Sequence, residues 1–168
     1  MLNPFNKHPF ARDLLWGFFE FAVTFFAFNY FRHAIHEWCH LSVLQYFGGQ
    51  GYIVKSWLGI GVKFTQMPTN VTAVAFAGGI GTALFFALLM YKNWDDDPEV
   101  AAAFPPLILS QLFYGIVEGL WIFGNPDLFN EYASMASNLG SAVGIIVTMY
   151  LLLKWLIRLS AKYDKSII

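Results

Sequence analysis

Two histidines four residues apart, with a glutamate beside the first, stand in the segment His36-Glu37-Trp38-Cys39-His40. On a helix the imidazoles of His36 and His40 point the same way and can share one tetrahedral metal ion, while Glu37 reaches a water held there. Zinc lowers the pKa of such a water towards ~7, and a neighbouring carboxylate can take its proton and later deliver it to a leaving amine. The pattern predicts hydrolysis with one Zn2+ per chain, His36 and His40 as ligands and Glu37 as the catalytic base. It assigns no substrate-binding residues.

A catalytic zinc takes a third protein ligand and keeps one position open. Asp127 is the first choice. Gly124-Asn125-Pro126 breaks the apolar stretch before it, and irregular backbone at membrane depth is tolerated only against protein or a cavity. The competing role for Asp127 is a turn aspartate that caps the next helix. Glu118, a lone glutamate in an apolar run, is the second choice, and Glu131 is a third. His33 lies one turn before His36 and is a candidate neighbour of the ligands or a gating group. Cys39 reads as a small buried hydrophobe, and Arg32 as a snorkelling side chain or the partner of a carboxylate.

These residues need a frame, and composition says what kind. The 168 residues are 57% hydrophobic and 12% charged, more apolar than a soluble domain, with the charges gathered at the ends and in one loop. The expected fold is an all-α integral-membrane domain over residues 1–168, with about four transmembrane helices and a short β-hairpin. The first span, 14–47, lacks proline and would run to roughly 50 Å, longer than a ~30 Å hydrocarbon core, so it is one long or kinked helix. Residues 52–65 are β-branched, aromatic and punctuated by glycine, which favours a hairpin. Further spans are expected at 71–91, 101–123 (broken after its end by Gly-Asn-Pro) and 139–157, with a polar piece at 128–138 before the last. Small residues in Ala77-Gly78-Gly79-Ile80-Gly81 suit close helix contact.

With four spans both termini share one side of the bilayer, and the lysine and arginine distribution predicts that this side is cytoplasmic. A net charge of −1 without a long basic run gives no reason to expect nucleic-acid binding. The N-terminus lacks a short apolar core ending in a cleavage site, so the first helix is expected to stay as an anchor.

The order of features resembles the site-2 protease family of intramembrane zinc metalloproteases. The matching pieces are His36-Glu37-Trp38-Cys39-His40, the hairpin of Tyr52 to Thr65, Ala77-Gly78-Gly79 and Asn125-Pro126-Asp127, spread over about residues 31 to 130. The resemblance implies a minimal catalytic core without a regulatory domain, Asp127 as the third ligand with Asn125 beside the site, and a membrane-associated hairpin. It implies a membrane-embedded substrate helix that unwinds and pairs with the hairpin edge. It also implies an active site towards the cytoplasmic face, opposite to the side the charge count gives. Gly79 stands where the family usually has proline, and Leu128 where it has glycine. Two other functions fit the same residues: a non-proteolytic membrane protein that binds or transports metal, and an inactive relative that partners other membrane helices.

Overall fold

The computed structural model describes residues 8–56, 59–120, 124 and 126–164, apart from the side chains of Ser56, Gly59, Pro126 and Asp127. Among them, four helical stretches are long and apolar enough to cross a membrane. Helix α1, Pro9–Tyr46, is a single uninterrupted helix of 38 residues. Proline occupies its first turn, where the missing N–H costs nothing, and at 1.5 Å per residue it extends roughly 57 Å. It stops at Gly48, whose φ of 73° lets the backbone turn back, with the Gly49 N–H donating to the Leu44 carbonyl at 2.9 Å.

The chain then forms the antiparallel hairpin of β1, Gln50–Ser56, and β2, Gly59–Gln66. Ile53 faces Val62 across the ladder, and both pack on the buried Leu41, Leu44 and Val74. The hairpin is thus fixed to the last turns of α1. Helix α2, Val71–Asn93, begins where the Asn70 side chain accepts from the Ala73 N–H at 2.9 Å.

The third span consists of two pieces: α3, Pro98–Ala101, and α4, Pro105–Leu120. The turn between them is buried, and the Thr148 hydroxyl donates to the Ala102 carbonyl at 2.7 Å, supplying a partner to backbone freed inside the bundle. A second cluster, Phe86, Phe104 and Leu107, packs with Phe25 and Phe28 of α1 and holds this turn in place. Helix α5, Pro126–Asp164, is continuous through 128–138, the stretch read from sequence as a polar piece. Residues 121–123 and Asn125, which the sequence reading placed at the end of the third span and in the break, lie outside the described residues.

Glycine faces set how closely these helices approach. Gly79 of α2 meets Gly115 of α4 backbone to backbone, and Gly140 and Gly144 of α5 lie against Leu109, Ser110, Pro105 and Pro106 of α4. Helix α4 is therefore held between α2 and α5. At the other end of the bundle Gly17 of α1 packs on Trp155 of α5, and Lys162 and Tyr163 donate to the Asp13 carboxylate at 3.2 and 2.5 Å. The start of α1 and the end of α5 thus lie on the same side, as four spans require.

Candidate metal centre

His36 and His40 lie on one face of α1, both buried, roughly 40 Å and 46 Å along the helix from Pro9. The centre is therefore at the end of the bundle remote from the termini. Helix α4 brings Glu118 to the same point. The Glu118 carboxylate straddles the pair, with Oε1 3.2 Å from His40 Nε2 and Oε2 3.4 Å from His36 Nε2. The two Nε2 atoms are 3.0 Å apart. Histidine, histidine and glutamate form a group able to hold a metal ion.

The outer nitrogens decide what the inner ones present. His40 Nδ1 lies 2.6 Å from the Val74 carbonyl, which can only accept, so that nitrogen carries the proton. His36 Nδ1 donates to Gln111 Oε1 at 3.0 Å. In the neutral rings both Nε2 atoms then offer lone pairs towards each other and towards a carboxylate. Three acceptors converge with no donor between them, and Glu118 Oε2 is buried without a hydrogen bond among the described residues. A shared cation satisfies all three at once, and carbonyl partners on the far nitrogens of metal-binding imidazoles fix the tautomer that such a cation needs.

Helix α2 closes the back of the site. A β-carbon at Gly78 would collide with Nε2 of both imidazoles, so the helix can lie this close to the imidazoles only with glycine there. Gly78→Ala improves helix propensity by about 1 kcal/mol, so α2 should persist while the site is disturbed. We expect metal affinity to fall at least tenfold, read by competition against a chelating dye, with unchanged helical circular dichroism. Wild-type affinity in that variant would contradict the close approach.

Glu37 is half-buried beside this group and faces two cavities. One, of about 370 Å³, lies between His40, Glu118 and the Val62 and Phe64 side chains of β2. The other, of about 420 Å³, reaches from His36 and Glu37 past Arg32 and Gln111 to the polar residues of α5. Tyr114, one turn before Glu118, sets its ring 5.3 Å from that of His36 and lines the second cavity.

The structure thus joins His36, His40 and Glu37 with Glu118, the second-choice ligand from sequence. Asp127 lies in the first turn of α5, but its side chain, like the whole of Asn125, lies outside the described residues. Glu131 is exposed on α5 and is not part of the group. His33 is exposed at the rim of the larger cavity rather than on the ligands. Cys39 turns to Gly81 and Thr82 of α2, away from the metal group. Gln111 escaped the sequence reading as a site residue. A lone amide seven residues before Glu118, two helical turns on the same face, was the available signal. Arg32 pairs with no carboxylate among the described residues, contrary to one of its expected roles, and reaches only the Ser110 hydroxyl, at 3.5 Å. No protein-family model, no curated protein and no solved structure matches this chain.

Proposed function

We propose that the chain is an intramembrane zinc metallopeptidase that cuts peptide bonds of transmembrane or membrane-associated polypeptides. The observation that carries this reading is the acceptor-only group of His36, His40 and Glu118 with Glu37 at its side, set among membrane-spanning helices. A tetrahedron with bonds of about 2.0–2.1 Å has edges of about 3.3 Å. The two Nε2 atoms are 3.0 Å apart, close to such an edge, each lies 3.2 or 3.4 Å from one of the two Glu118 oxygens, and the nitrogen and oxygen donors suit zinc. Three such ligands would leave a fourth position for water or substrate.

Bound there, zinc supplies Lewis acidity towards a carbonyl and lowers the pKa of water. Glu37 takes the proton of the attacking water and returns it to the leaving amine. Val74 and Gln111 hold the imidazoles in their ligating tautomer. A helical substrate engages its own carbonyls in hydrogen bonds, so it must unwind to be cut. The cavity beside β2 offers an extended segment a strand to lie along, because among the described residues the two-stranded sheet leaves β2 one edge without a strand partner. The lysine and arginine distribution favours termini in the cytoplasm, which sets this centre towards the opposite face.

The test is cleavage of model transmembrane segments in proteoliposomes by metal-loaded protein. Cleavage should stop on chelation and return with Zn2+. Metal-loaded protein that carries metal across the vesicle wall and cuts no segment would replace the peptidase with a metal-transport function.

A further inference from the structure

The 420 Å³ cavity contains a charge that nothing in the described residues neutralises. Arg32 lines it one helical turn before His36, and its Nε is buried without a hydrogen-bond partner among the described residues. A guanidinium stays protonated at any accessible pH, and an unpaired charge within a membrane helix is costly. Beside the imidazoles of His33 and His36, the polar lining consists of neutral groups: Gln111 and Tyr114 from α4, and Asn130, Ser134, Ser137 and Asn138 at helical spacing on α5. The only described carboxylate in the wall is Glu37, which belongs to the catalytic group. A water-accommodating space with one fixed cation suits a carboxylate, for which the planar guanidinium fork is matched.

We propose that Arg32 makes this cavity a carboxylate-binding subsite. It would hold an acidic side chain or the free C-terminal carboxylate of the polypeptide cut at the metal centre, an assignment that rests on the peptidase reading for the nature of the ligand. Arg32 lies more than about 20 Å from either end of α1. It is about 6 Å along the helix from His36, and an extended chain advances about 3.3 Å per residue. The recognised carboxylate therefore lies within roughly one to three residues of the bond that is cut.

Binding tests this apart from catalysis. Zinc-loaded Glu37→Gln protein is titrated with fluorescent apolar peptides in matched pairs: internal Glu against Gln, and free C-terminal acid against amide. A charge-assisted pair predicts at least about tenfold tighter binding of the acid in one of the two comparisons, which also identifies the source of the carboxylate. Adding Arg32→Gln should remove the preference, and Arg32→Lys, which keeps the charge and loses the fork, should retain part of it. Zinc stoichiometry reports whether each variant is folded. Equal binding of acid and neutral peptides, or a preference that survives Arg32→Gln, overturns the subsite. A preference in the Glu37→Gln protein, together with zinc-loaded wild type that cleaves none of the peptides, would leave the subsite standing and overturn the peptidase.

Discussion

Glu118→Ala protein is expected to purify with a small fraction of the metal found in wild type, and to bind Zn2+ more than about 100-fold more weakly in competition with a chelating dye. Losing a partner of a ligand already costs about 10–100-fold in affinity, and losing a ligand costs more. His36 and His40 alone offer two nitrogens 3.0 Å apart, and Glu118 is the carboxylate that α4 brings within 3.2 and 3.4 Å of them. Glu118→Gln keeps the volume and one oxygen but removes the charge, so it should fall between wild type and alanine. Glu118→Asp shortens the reach by one methylene and should lose most of the affinity, because α4 is held by Gly79–Gly115 contact and cannot slide inward to compensate. Asp127→Ala is the matched control. Full metal in Glu118→Ala with loss in Asp127→Ala would make Asp127 the third ligand and Glu118 a buried neighbour.

The membrane class, the number of spans and the hairpin were legible in the sequence because each depends on local composition: apolar runs long enough to cross a bilayer, and a β-branched segment between glycines. The histidine pair of the candidate metal centre was legible because its spacing is helical and both residues lie on one element. The approach of Glu118 to the two histidines was not. A third ligand depends on which helices touch, and that depends on Gly79 meeting Gly115 and on Gly140 and Gly144 admitting Pro105 and Pro106. The sequence marks those glycines as small but does not pair them. Likewise, 128–138 looked like an interruption because its asparagines and serines were counted along the chain. On α5 they fall on one face and line the cavity that Arg32 enters.

Glu37→Gln is expected to leave metal content unchanged and to lower the cleavage rate of a transmembrane substrate by roughly 10²–10⁴-fold, the contribution typical of a positioned acid–base group. Glutamine has the same shape and keeps the contacts to both cavities, but cannot accept a proton from water. Glu37 is not among the three ligands, so its loss should separate turnover from metal binding. That separation matters because Glu118→Ala cannot supply it: a protein without metal is inactive under any metal-dependent mechanism. Single-turnover measurements with metal-loaded protein would place the loss in the chemical step, with substrate affinity little changed. A Glu37→Gln protein that still cuts at the wild-type rate would remove Glu37 as the base. If the same variant also moved metal across vesicles as well as wild type, the centre would be a site of passage, and the converging acceptors of His36, His40 and Glu118 would be a binding station along it.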